Sequence, residues 1–410
     1  MSLKRKIKRW QFKEKILFLL TVKERLLWLF KKIIHWPRRG EIVFIAELSG
    51  AVAVYRGENP AEELRRQGLK VAVLSRKDPW LLKKLKRAGG VVLSRVPWQP
   101  WGKEIVKLAK EKSLPVVVDF DDLIFDLDSF RQTSAYQQAN LIKRRELLNR
   151  SGEEFLTCSE VRAFTVSTTF LQEKLKETGK PVLVVKNKLS QKEWRQAEKL
   201  YRRRQRQKQS EETVKIGYLS GSLSHDRDLA TILPVLAEIL RENKKARLYI
   251  VGYISAKDKF YQEFKRQIVR LPFGPRWWYY QNLAKMDINL VPLEDNDFCQ
   301  AKSEIKFIEA GAVGVPTVAK KNQTFQEAIT DGQDGFLADT LEEWKEKIGF
   351  LVNNVRERRQ MGEEARRTVQ KKYLTIVTDF PAEEEKYYQW WRRNLKIKKN
   401  KQPIKVGEDD

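Results

Sequence analysis

The stretch Asn296–Ala319, NDFCQAKSEIKFIEAGAVGVPTVA, decides how this chain of 410 residues is read. DINLVPL, residues 287–293, precedes it as a strand; an apolar helix with a Lys-Ser start fills its middle, and GVPTVA closes it as a second strand. In a parallel sheet this order points the helix N-terminus, with its unpaired amides and positive dipole end, at the carboxyl edge where ligands bind. The stretch therefore predicts an anion site built on Lys302, Ser303 and the amides up to Glu304, with the Glu309 carboxylate about two turns into the helix.

Outward from it, short apolar runs alternate with helical segments along most of the chain. EIVFIAEL, VAVLS, GGVVLSRV, PVVVDF, AFTVST and PVLVV give a first set of strands, and VKIGYL, ARLYIVG, VRLPFG, DINLVPL and GVPTVA a second. Such alternation predicts an α/β fold of two Rossmann-like domains with parallel sheets, although no GxGxxG is present. The expected segments are a basic arm at 1–40, a first domain at 41–190, a basic connecting helix at 191–212, a second domain at 213–377, and a basic aromatic helix and tail at 378–410. In the second domain IGYLSGSLSHDRD turns from strand to helix through Gly221 and Ser222, whose amides can cradle phosphate, with His225 and Arg227 nearby. In the first domain, the first strand ends at Ser49-Gly50, and Gly50 is a candidate donor-binding residue.

The formal net charge of +27 predicts an anionic surface among the partners: nucleic acid, acidic lipid or a phosphorylated small molecule. Thirteen Lys/Arg fall in the first forty residues against Glu14 and Glu24. Two five-residue apolar runs, Ile16–Leu20 and Leu26–Phe30, fall well short of the roughly 20 residues that span a bilayer. Basic residues mixed with Trp10, Trp28, Phe30 and Trp36 predict an interfacial helix on anionic lipid through residues 1–36; the alternative is a helix packed on the protein body with solvated lysines. Tyr201–Lys208 reads as a solvated connecting helix rather than a nucleic-acid patch, and no recognition module is visible, so nucleic acid is not expected as a partner. Two cysteines, Cys158 and Cys299, and two histidines exclude a disulfide framework and a His-rich zinc site, and favour a cytoplasmic setting.

DFDDLIFD, Asp119–Asp126, leaves three readings open: a metal-binding carboxylate cluster, a phosphatase pair of Asp119 and Asp121, or helix-capping and solvated acids. A ligand-facing role is expected for Asp121 or Asp122, and Asp122 is the candidate catalytic carboxylate.

Taken together and in order, IGYLSGSLSHDRD, DINLVPLEDNDF, KSEIKFIEAGAVGVPTV, DGQDGFLA and ERRQMGEEARRTVQKKY resemble the family 4 retaining, nucleotide-sugar-dependent glycosyltransferases of GT-B architecture. VYRGENPAEELRRQG, VVVDFDDLIFD and TVSTTFLQEKL extend the likeness more faintly into the first half. The resemblance implies sugar transfer from a nucleotide-sugar donor to a glycan, lipid or protein acceptor, with retention and without a metal or cofactor. By position, Glu309 matches the second glutamate of the family's paired motif and is implied to hold the donor ribose, while Ala301 stands where the first glutamate is expected. Ser222 stands at the expected arginine, which leaves Arg227 and His225 beside the diphosphate. Lys302 and Ser303 are implied to contact phosphate, and the loop Pro272–Arg276, with Phe273, to border the nucleobase. Ala301 and Ser222 also admit a GT-B protein without turnover, acting as a sugar-nucleotide-binding or scaffold subunit.

Overall fold

The computed structural model describes residues 3–46, 50–206, 213–220, 226–251, 259–377 and 381–395. Its strands are β1 Ile42–Ala46, β2 Val71–Ser75, β3 Gly90–Ser94, β4 Val116–Phe120, β5 Val161–Val166, β6 Val182–Val184, β7 Val214–Leu219, β8 Ala246–Val251, β9 Ile268–Leu271, β10 Ile288–Val291, β11 Thr317–Lys320 and β12 Phe336–Ala338. They form two parallel six-stranded sheets, ordered β2-β1-β3-β4-β5-β6 and β12-β11-β10-β7-β8-β9. Strands β1 to β4 are buried at every residue, as sheets covered on both faces require of their Val/Ile/Leu runs. The strand order reverses at β1 in the first sheet and at β7 in the second, and such switch points open a crevice at the carboxyl ends of the strands.

The helices that position the site are α1 Leu3–Ile34, α2 Asn59–Arg66, α3 Gln191–Arg206, α4 Arg276–Leu283, α5 Ile305–Ala312, α6 Val355–Lys372 and α7 Ala382–Asn394. The chain crosses between the sheets twice. Helix α3 leads out of the first domain, and after α6 the chain pairs Leu189 with Leu374 on its way back. Helix α7 then buries Tyr387, Tyr388 and Trp391 in the core of the first sheet, so the C-terminal aromatic segment is part of the first domain's packing. A Cβ at Gly90 would lie 2.6 Å from the Trp391 ring, which explains glycine at the start of β3. Lys188 anchors the crossing by pairing with both Glu63 and Glu384.

Helix α1 packs on the protein body, as one of the two expectations for the basic arm has it, and leaves a second apolar face exposed. Trp28 Nε1 donates to Glu58 at 3.1 Å, Lys32 pairs with Glu58 at 2.6 Å, and the Lys84 ammonium donates to the Ile33 carbonyl. Leu17 is 4% exposed in a core cluster that contains Tyr55 and Trp278, so the helix straps both domains. Its opposite face leaves Phe18, Leu19, Leu26, Leu27, Phe30 and Ile34 exposed. Among the described residues, no helix is long and apolar enough to cross a membrane.

The basic segment after Asp126 is three short helices rather than one, because Asp126, Thr133 and Asn140 each turn a side-chain oxygen onto the backbone amide three residues on and restart the helix.

Candidate active site

The site lies between the carboxyl edges of the two sheets. Asn296 caps the short helix Asp297–Gln300 by accepting from Cys299 N, and the chain then turns through Ala301–Glu304 into α5. Ala301 is fully buried and belongs to the apolar cluster that holds Leu123 and Phe125 of the first domain. A carboxylate here would lose its hydration without a partner, so alanine suits the interdomain packing. Glu304 is also fully buried, at the N-cap of α5. Burial raises its carboxyl pKa, against the pull of Lys186.

Lys302 projects from this turn across the cleft. Its ammonium donates to Asp122 Oδ1 at 3.1 Å and lies 4.5 Å from the Phe298 ring centroid. Asp122 also pairs with Arg95, whose guanidinium donates to Asp121 at 2.6 Å. Burial works against ionising Asp122, but Lys302 and Arg95 outweigh it and bring its pKa down to about 2. For Asp121 burial prevails over Arg95 and the pKa rises. Asp119 is held apart from both, 3% exposed, by the Arg56 guanidinium and by Thr165 Oγ1, which donates to it at 2.8 Å. The acidic run is thus divided among separate partners, with Asp119 in the core and Asp122 at the cleft.

At the fifth residue of α5, Glu309 accepts from the Tyr55 hydroxyl and the Tyr279 hydroxyl, each at 2.8 Å, and from Arg276 at 3.4 Å. Arg276 also pairs with Glu193 of α3 and lies 4.4 Å from the Tyr55 ring centroid. Burial pushes the Tyr55 and Tyr279 hydroxyls well above their ordinary pKa, so both remain donors. Lys306, on the turn between Lys302 and Glu309, donates to the Leu219 carbonyl at 2.6 Å, at the end of β7. Burial lowers its pKa, against the pull of Glu309.

Four of the candidate donor-side groups in the second domain meet the first domain or its exit segment. Lys302 meets Asp122, Ser303 Oγ accepts from Asn187 at 2.9 Å, Glu309 meets Tyr55, and Arg227 donates to Gln137 Oε1 at 2.5 Å. The structure brings Lys302, Ser303, Glu309, Arg227 and Asp122 to one interdomain cleft. Gly221, Ser222 and His225 lie outside the described residues. Phe273 is half-buried between β9 and α4. Gly50 has φ +102° and ψ −153°, a conformation open to glycine, and it starts the helical backbone that carries Tyr55 and Arg56. Tyr55, Asn187, Tyr279 and Lys306 escape the sequence reading, and Arg276 enters it only as the end of a loop. A lone arginine inside the apolar AVAVYRG does signal a buried ion pair, and that pair fixes the neighbouring tyrosine.

The helix start, Lys302 and Arg227 together can stabilise negative charge that develops on a leaving group, with carboxylates on both sides to orient hydroxyls.

Residues 233–376 match the family described as glycosyl transferase-like. No curated protein matches the sequence. Among solved structures, a glycosyltransferase from Rickettsia africae superposes at TM-score 0.59 with 14% identity, over 88% of this chain and 100% of that one. Sucrose-phosphate synthase from Thermosynechococcus elongatus gives 0.58 with 12% identity, over 87% and 99%. HepE from Anabaena, in complex with UDP and glucose, gives 0.56 with 12% identity, over 87% and 100%. The fold is therefore GT-B.

Proposed function

Taking the chain as a glycosyltransferase of GT-B architecture, we propose that it moves a sugar, with retention and without a metal or cofactor, from a nucleoside diphosphate sugar to an acceptor bound by the first domain. The observation that supports this reading most is the placement of Lys302 in the turn leading into α5, 3.1 Å from Asp122 across the cleft, with Glu309 deeper along the helix. In that arrangement Lys302, Ser303 and Arg227 take the diphosphate, and Glu309 takes the ribose hydroxyls in place of Tyr55. Asp122 is the acceptor-side carboxylate nearest the reacting bond. The HepE complex contains UDP, which makes uridine nucleotides the first donors to try.

A thermal-shift screen of nucleoside diphosphates and nucleotide sugars, with and without EDTA, tests this. A true donor at about a hundredfold its Kd should add about 2.7 kcal/mol of stability, and EDTA should change neither the shift nor turnover. No shift with any nucleotide would sink the donor reading; a shift or turnover that EDTA abolishes would sink the metal-free mechanism. Ala301, buried in an apolar interdomain cluster, favours a second reading: a GT-B subunit that binds nucleotide sugar without turnover. Binding with no transfer to any acceptor and no hydrolysis would select it.

The outer face of α1 supports work at the surface of a membrane, with Phe18, Leu19 and Phe30 entering the interface of an anionic bilayer and the basic residues meeting headgroups. Because Leu17 and Trp28 hold the two domains, removing residues 1–36 would disturb the cleft as well as the membrane contact. Serine at Phe18, Leu19 and Phe30 is the cleaner test. Vesicle binding should fall at least tenfold, since about 0.8 kcal/mol is lost per buried CH2, with nucleotide-induced stabilisation unchanged. Undiminished vesicle binding would refute the membrane contact.

A further inference from the structure

Helix α3 carries a feature that sugar transfer does not use. Lys192, Arg195, Lys199, Arg202, Arg203 and Arg206 are all exposed. At 3.6 residues per turn they fall within one arc of roughly 100°, a stripe about 20 Å long. Arg202 meets Glu198 at 2.6 Å, and the other five make no ion pair with a described residue. Six like charges along one face repel each other, and a fold gains nothing from that repulsion unless a polyanion relieves it. At its first turns the stripe borders a recess of about 420 Å³ lined by Glu62, Arg66, Lys192, Arg195 and Lys199.

The position of the stripe identifies its partner. Glu58, Glu62 and Arg66 recur every four residues on one face of the α2 region. Glu58 accepts from Trp28 and pairs with Lys32 of α1, while at the start of α3 Gln191 N donates to Glu62 at 3.4 Å and Gln191 Oε1 accepts from Arg66 at 3.3 Å. Helices α1 and α3 thus begin their contact with α2 about one helical turn apart on the same side of the molecule. A helix with an exposed apolar face lies beside a helix with a largely uncompensated cationic stripe, which is the division of labour of a surface that enters an anionic bilayer.

We propose that the α3 stripe is the headgroup-binding half of a bilayer docking surface, that α1 is its apolar half, and that the stripe selects anionic phospholipid. The proposal rests on the membrane reading of α1, and the test separates the two. The full chain is sedimented with vesicles of phosphatidylcholine alone, or of equimolar phosphatidylcholine and phosphatidylglycerol. It is compared with the triple variant Lys192→Glu/Arg195→Glu/Lys199→Glu and with the α1 serine variant. Charge reversal should weaken binding to phosphatidylglycerol vesicles on the order of a hundredfold, abolish the wild-type preference for them, and leave nucleotide-induced stabilisation unchanged. The α1 variant should lose binding to both kinds of vesicle. If charge reversal leaves phosphatidylglycerol binding intact while the α1 variant loses it, the stripe proposal alone is overturned. If the wild type binds neither vesicle, both fail. Tighter binding of a single-stranded oligonucleotide than of phosphatidylglycerol vesicles at the same salt, lost on charge reversal, would assign the stripe to nucleic acid and overturn the lipid partner.

Discussion

Lys302→Ala is expected to lower kcat by about 10²–10³-fold, the cost of removing one preorganised group from charge that develops in the transition state. Cleaving a sugar–phosphate bond leaves a nucleoside diphosphate whose added charge must be met where it forms. The turn Ala301–Glu304 leads into the start of α5, and Lys302 is the cation it carries into the cleft. Its present partner, Asp122, keeps Arg95 when the lysine is removed, so the variant leaves no unpaired acid and should fold. Steady-state kinetics with the donor found by the nucleotide screen decides the matter. A loss confined to KM would mean that Lys302 binds donor and transition state equally, and an unchanged kcat would remove it from the chemistry. Lys302→Arg should recover part of the rate, because charge is retained while reach and geometry differ.

The pairing with Asp122 also gives a pH expectation. The folded-state pKa of about 2 lies below the ordinary carboxylate value of about 3.9, so the stability this pair contributes is present above pH ~4 and is lost as pH falls toward 2. Between about pH 5 and 8 Asp122 stays ionised and adds no inflection to a rate profile. Asp122→Asn should therefore leave the shape of the kcat/KM profile unchanged over that range while tightening nucleotide binding, since Lys302 is then released from a competing carboxylate. A titration near neutrality that disappears in Asp122→Asn would contradict the assignment.

The half of the site in the second domain was legible because it is local. Strand, turn, Lys-Ser segment and Glu309 follow one another within about twenty-four residues, although the helix starts at Ile305, three residues later than Lys302, and so carries Glu309 less deep than the expected two turns. The other half comes from segments that share no spacing with it: Tyr55 from the helical run after β1, Asp122 from the end of β4, and Asn187 from the exit of the first sheet. Their registration depends on how two domains close on each other, which no local pattern encodes. The strands were readable as apolar runs of four to six, except for Phe336–Ala338, three residues that read as part of a turn. In α7 the sequence showed a basic aromatic helix, but not that its aromatic face is buried on the first sheet. For α1 the two expectations excluded each other only because an amphipathic helix was assumed to have one apolar face. This helix has two, one on the protein and one exposed.

Glu309→Ala tests both the interdomain closure and the donor reading. In the ligand-free cleft the carboxylate accepts from two tyrosine hydroxyls and Arg276, and all three donors are largely removed from water. Deleting it strands these donors, and each buried unsatisfied hydroxyl costs about 1–3 kcal/mol, so the variant should lose about 2–5 kcal/mol of stability. The loss is interdomain, because Tyr55 and Glu309 belong to different sheets. Stability alone does not identify a ribose ligand, and Glu309→Gln separates the roles: its amide oxygen can still accept from one tyrosine, and no charge remains for Arg276. Nucleotide binding should fall by at least tenfold in Glu309→Gln, with a smaller loss of melting temperature than in alanine. Tyr55→Phe should act in the opposite sense, since it removes the hydroxyl that occupies Glu309 before the donor arrives while Tyr279 still donates. If Glu309→Gln and Tyr55→Phe both bind nucleotide as the wild type does, Glu309 is a closure residue and the ribose is held elsewhere. Opposite changes in affinity would show that donor and acceptor domain compete for the same carboxylate, so that donor binding must begin by releasing Tyr55.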